Sequence, residues 1–161
     1  MKLKPILVFD FDGVIVDGMD EYWFSSRKAL INLIQDSNVE GLLPISVPKT
    51  FRELRPWVNH GWEMVLITSE MIRPGSPLRI KGTDYFSRNY EILSKAALNE
   101  WNWTPNELQQ ALEGVRLKAI AENRSEWISL HKAFPHVINR LRKLNDEGID
   151  WGVLTTKGEA F

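Results

Sequence analysis

Two short apolar runs constrain this chain more than anything between them: Ile6-Leu7-Val8-Phe9 near one end, and Ile149-Asp150-Trp151-Gly152-Val153-Leu154-Thr155 near the other. Pro5 precedes the first run, and Gly148 precedes the second. A run that is apolar on both faces reads as a strand buried in a parallel sheet, not as a surface strand. From about Glu21 to about His131 the spacing of apolar residues is helical instead. The expected order is strand, long helical insertion, helix, strand. Such an order describes a split α/β unit whose two strands lie parallel and adjacent, joined by a right-handed crossover.

Within the insertion, Leu30, Leu33 and Ile34 share one face of a helix expected over about Tyr22 to Asp36. Gly and Pro residues mark a loop at Gly41 to Lys49. Thr50 and Glu53 have the spacing of a capping box, and Pro56 should kink or restart that helix. Further helices are expected over Trp57 to Ile72 and over Ser87 to Asn99, with a loop at Arg73 to Pro77. Thr104-Pro105-Asn106-Glu107 is the clearest start signal: a cap, a proline at the first helical position and an acid at the third. That helix should run to about Glu122, followed by a short one over Ser125 to His131. Phe134-Pro135 then opens a helix with Val137, Ile138, Leu141 and Leu144 on one face, ending at Gly148.

Composition narrows the function classes. A length of 161 residues allows one core of useful size or a split domain with an insertion. A net charge of -1 provides no field to draw the whole molecule to nucleic acid or to a membrane, so neither is expected as a partner. The absence of Cys excludes disulfides and thiolate metal sites and agrees with a reducing compartment. An aspartate cuts the first apolar run short, so it reads as neither signal peptide nor anchor, and a cytoplasmic protein is expected. The seven Trp are many for this length and are expected in the core, under a lid or stacked on a substrate.

Chemistry concentrates at Asp10-Phe11-Asp12-Gly13-Val14-Ile15-Val16-Asp17, where the first strand ends. In open parallel sheets, ligands bind at the carboxyl ends of strands. Two carboxylates two residues apart at such an end repel each other. A cation relieves that repulsion, and hard oxygen ligands of this kind suit Mg²⁺. A carboxylate can also act as a nucleophile toward phosphorus, and Gly13 would let the backbone approach a phosphate closely.

The string FDFDGVIVDG resembles the first motif of the haloacid dehalogenase-like (HAD) hydrolase superfamily, D-x-D-G-x-x-x-D. The stretch from Phe134-Pro135 to Val153-Leu154-Thr155-Thr156-Lys157 resembles the segment carrying its second motif, a helix leading into a strand that ends in Thr or Ser. The resemblance implies a partial Rossmann-like HAD core from residues 1–17 and 133–161, with a mostly α-helical cap over residues 18–132. It implies a magnesium-dependent phosphatase acting on a small phosphorylated metabolite through an aspartyl-phosphate intermediate. Asp10 would be the nucleophile and Asp12 the acid and base. The Asp10 carboxylate and the Asp12 carbonyl would hold Mg²⁺, and Thr155 with Thr156 would bind the transferring phosphate. Asp17 would lie in the hinge between core and cap, in a structural role. The family also carries a third motif with Lys or Arg and a fourth with one or two acids. Both follow the second motif, whereas this sequence ends six residues after Thr155. The expectation is therefore a fragment, inactive by itself and able to self-associate through exposed sheet edges.

Other readings stand beside this one. A non-catalytic binding module retaining half of the core is one, and a phosphomutase, which shares the two acids, is another. Val65-Leu66-Ile67-Thr68-Ser69 also looks like a strand ending in hydroxyl residues, which would move the second motif to Thr68; the Thr155 assignment is preferred because residues 70 to 147 read as helices. Arg52, Arg55, Trp57, His60 and Glu63 form a polar and aromatic cluster that either touches the leaving group or is simply a solvated helix face. His131 and His136 lack metal-ligand company and read as surface or capping residues. Arg140, Arg142 and Lys143 read as the outer face of their helix.

Overall fold

A computed structural model describes residues 5–155, and in it the chain is mostly helical. The helices are α1 (Met19–Ile34), α2 (Ser37–Leu42), α3 (Lys49–Leu54), α4 (Gly61–Ile72), α5 (Pro77–Arg88), α6 (Tyr90–Trp101), α7 (Pro105–Ser129) and α8 (Pro135–Asp146). Four short strands accompany them: β1 (Leu7–Phe9), β2 (Val16–Asp17), β3 (Lys132–Ala133) and β4 (Trp151–Val153). β1 pairs in parallel with β4, in the register Leu7↔Trp151, Val8↔Gly152 and Phe9↔Val153. β2 pairs antiparallel with β3 through Val16↔Ala133 and Asp17↔Lys132.

The expected Rossmann-like α/β core is corrected by these pairings. The two terminal runs do pair in parallel, but among the described residues there are only two separate two-stranded sheets, not a layered parallel sheet. A run apolar on both faces is buried only when helices cover both faces. Here Phe9, Ile149 and Trp151 pack with α8 through Leu141 and Leu144, while Leu7, Val8 and Val153 remain exposed.

The main core lies in the helical body. Trp23, Ala29 and Leu30 of α1, Val65 to Ile67 of α4, and Leu108 and Leu112 of α7 are all nearly inaccessible, and α1, α4 and α7 pack on one another. A second, smaller cluster joins Ile15 and Val16 to Leu141 and Leu144 of α8. The two chain segments that pass between the clusters are β2 and β3, so the connection is itself a hydrogen-bonded ribbon. Phe134 N–H adds a bond to the Ile15 carbonyl at 2.9 Å.

Local signals explain most boundaries. The Thr104 hydroxyl accepts the Glu107 N–H at 3.3 Å, and Glu107 accepts the Thr104 N–H at 2.7 Å, closing a capping box with Pro105 at the first helical position. Asn123 leaves helical geometry inside α7 and its side chain accepts the Glu126 N–H at 3.2 Å, so it restarts the helix as a cap. α4 starts at Gly61, not at the expected Trp57. Arg55–Trp57 forms a 3₁₀ turn, and the Glu63 carboxylate takes the N–H groups of Asn59 at 2.6 Å and His60 at 3.1 Å. The stretch Val65 to Ser69 is buried helix. The Thr68 hydroxyl donates to the Met64 carbonyl at 2.8 Å and Ser69 to that of Leu66 at 2.8 Å, which removes the strand reading of this segment. No helix among the described residues is long and apolar enough to cross a membrane.

Candidate active site

After β1 the chain makes a tight loop. Ile15 N–H and Val16 N–H both bond the Phe11 carbonyl, at 2.9 and 3.1 Å, and Gly13 N–H bonds the Val16 carbonyl at 2.7 Å. Gly13 adopts φ +81°, a conformation that glycine takes without a Cβ penalty. This loop carries Asp10 and Asp12 into different surroundings. Asp10 is exposed and one of its carboxylate oxygens accepts the Phe11 N–H at 2.7 Å. Asp12 is half-buried and lines a cleft against the helical body.

The Leu154 N–H donates to the Phe9 carbonyl at 2.9 Å, so Thr155 and Asp10 both follow the carboxyl end of the parallel pair. Thr155 is exposed. Thr156 lies outside the described residues, as does Lys157. Asp17 accepts the Met19 N–H at 2.9 Å at the start of α1, and stands 3.9 Å from Arg52 across an ion pair. Among the described residues no three carboxylate or imidazole groups converge as a metal-binding cluster. The hard oxygen atoms this loop could offer a cation are the Asp10 carboxylate and the Asp12 carbonyl. That set fits Mg²⁺, which keeps several waters and takes its remaining oxygens from phosphate.

The cleft beside Asp12 has a volume of about 140 Å³ and is also lined by Tyr22, Arg55, His60, Gln109 and Arg116. Tyr22 projects from α1 and is buried. Its phenol has Asp12 and Arg55 as polar neighbours. Burial chiefly, and the Asp12 carboxylate with it, push the phenol well above the ordinary tyrosine range. The Arg55 guanidinium lies over the Tyr22 ring, 4.8 Å from its centroid. Gly18 makes this approach possible: a Cβ there would stand 3.0 Å from the Asp12 Oδ1 and 3.0 Å from the Tyr22 Cζ.

The two arginines of the cleft differ. Arg116 from α7 is buried and gives two hydrogen bonds to Glu21, Nε at 2.7 Å and Nη2 at 3.0 Å. Arg55 has no carboxylate partner among the described residues, and its buried Nε–H has no acceptor there. Of the polar cluster read in the sequence, Arg55 and His60 line the cleft. Arg52 turns to Asp17, Trp57 is exposed, and Glu63 is buried in its capping role with Tyr90 Oη at 3.3 Å. Sequence reasoning missed Tyr22, Gln109 and Arg116. Tyr22 stood in the sequence only as the expected start of a helix, and the others stand on a helix with no local sign of chemistry. Comparison with protein-family models, with curated proteins and with solved structures finds no match to this chain.

Proposed function

We propose that this protein hydrolyses a small phosphate monoester by the chemistry of haloacid dehalogenase-like phosphatases, with Asp10 as nucleophile. The observation that carries the reading is Asp12: it follows Asp10 in the FDFDGVIVDG loop at the end of β1, and it lines a cleft that also holds an arginine with no carboxylate partner among the described residues. Asp10 attacks phosphorus and Asp12 donates a proton to the leaving alcohol oxygen. Asp12 then takes a proton from water, which attacks the aspartyl-phosphate, releases phosphate and restores Asp10. Thr155, with Thr156, hydrogen-bonds the phosphoryl oxygens. Mg²⁺, held by the Asp10 carboxylate and the Asp12 carbonyl, would shield charge as one anion approaches another. Residues 18–132 act as the lid, over a site carried by residues 1–17 and 133–161, and the protein works in the cytoplasm.

Hydrolysis of para-nitrophenyl phosphate by the full-length protein in the presence of Mg²⁺ tests the reading. Asp10→Asn should lower the rate by at least about a hundredfold, the lower end of what a participating group contributes. An Asp10→Asn protein as active as its parent would remove Asp10 from the nucleophile's role.

A further inference from the structure

Arg55 is the cation of the cleft that has no carboxylate partner among the described residues. Arg116 spends its charge on Glu21, and the His60 ring stacks on Trp62 with an interplanar angle of 9°. Arg52 and Arg73, nearby in sequence, face Asp17 and Glu70. Arg55 lies against Tyr22, over its ring, and leaves a buried N–H without an acceptor among the described residues. A buried charged donor in this condition is costly unless an anion completes it.

Its position says which anion. Arg55 stands over the Tyr22 ring and lines the same cleft as Asp12, so the guanidinium approaches, from the helical-body side, the acid that protonates the leaving oxygen. The phosphoryl side is at the other end, where Asp10 and Thr155 follow β1 and β4. A cleft of about 140 Å³ is far below the ~300–1,000 Å³ of pockets that bury drug-sized ligands. It can enclose a small group beside Arg55.

From this arrangement we infer that the cleft selects phosphate monoesters whose short alcohol portion carries a second anionic group, a carboxylate, which Arg55 binds. The inference rests on the phosphatase reading for the bond that is cut; the anion contact itself is independent of catalysis. A planar guanidinium matches a carboxylate with two parallel hydrogen bonds, which gives direction as well as attraction.

Two phosphonates that cannot be hydrolysed separate the possibilities. Isothermal titration in the presence of Mg²⁺ compares phosphonoacetate, which carries the carboxylate, with methylphosphonate, which does not. Hydrolysis of para-nitrophenyl phosphate is measured on the same preparation. The parent protein should bind phosphonoacetate about tenfold more tightly or better, the usual size of a charge-assisted contact. Arg55→Gln should bring the ratio close to one, and Arg55→Lys should restore part of it, with thermal melting showing that both variants fold. A parent ratio near one, with hydrolysis intact, overturns the inference and leaves the phosphatase reading standing. A preference unaffected by Arg55→Gln also overturns it. An Arg55-dependent preference without hydrolysis supports the carboxylate contact and removes the phosphatase reading.

Discussion

Arg116 on α7 grips Glu21 on α1 with two hydrogen bonds, 2.7 and 3.0 Å long, although the residues are 95 positions apart. Glu21 is fully buried, also accepts the Ser25 hydroxyl at 2.7 Å, and has His131 Nε2 at 3.9 Å. Breaking a buried pair from one side leaves a charge in low dielectric with no partner, at a cost of about 3–5 kcal/mol. Arg116→Met and Glu21→Leu should each cost that much in chemical denaturation. The double variant should be clearly more stable than the sum of the two costs implies. Strict additivity would mean that the pair is not coupled.

Gly18→Ala tests the contact between the acid loop and α1. The added methyl carbon would meet the Asp12 carboxylate and the Tyr22 ring, both at 3.0 Å, at a buried position. Overpacking of this kind costs about 1–3 kcal/mol. It should also shift Asp12, so hydrolysis should fall by more than the loss of folded protein explains. A variant as stable and as active as the parent would show that the loop yields freely there.

Two buried phenols make stability depend on alkaline pH. Burial first, then Asp12 beside Tyr22 and Glu63 beside Tyr90, raise both above their ordinary value. For a raised folded-state value, the contribution to stability is complete below the unfolded-chain value of about 10 and is lost as pH climbs through the higher folded value. Denaturation midpoints should therefore drop steeply above pH ~10. The combined Tyr22→Phe and Tyr90→Phe variant should show a shallower drop. Equal slopes in the two proteins would contradict this origin.

Thr68 and Thr155 separate structure from chemistry. Thr68 is fully buried in α4, so Thr68→Ala should lower stability by about 1–2 kcal/mol through a lost hydrogen bond and should leave hydrolysis per folded molecule unchanged. Thr155 is exposed, so Thr155→Ala should leave stability within about 0.5 kcal/mol. Its rate should fall about tenfold, the value of one hydrogen bond to a charged group. Melting curves and rates exchanged between the two variants would restore the Thr68 assignment.

Helices were legible where a local device announces them. Thr104, Pro105 and Glu107 form the capping box their spacing predicts, and the expected break after Glu122 occurs at Asn123, whose own side chain caps the next turn. Phe134-Pro135 and Gly148 bracket α8. The layered α/β core was misread because Ile6 to Phe9 and Ile149 to Thr155 have the composition of buried strands. Composition does not say whether a second layer is present, and Leu7, Val8 and Val153 are exposed. The acid loop was legible from residue order alone. Its cleft was not: Tyr22, Arg55 and Arg116 meet through the packing of α1, the Arg55–Trp57 turn and α7, contacts that span many residues and leave no local pattern. Glu63 misled for the opposite reason, since a capping residue and a substrate-binding acid look alike in sequence.

The central claim is that the Asp10 carboxylate becomes bonded to phosphorus, and chemical trapping tests it most directly. The protein, turning over a phosphate monoester with Mg²⁺, is quenched in acid and reduced with borohydride, which converts an acyl phosphate to an alcohol but leaves a free carboxylate intact. Peptide mass spectrometry should find residue 10 as homoserine in a fraction that depends on substrate, with Asp12 unchanged. An unmodified Asp10 in a protein that hydrolyses the ester would contradict the account.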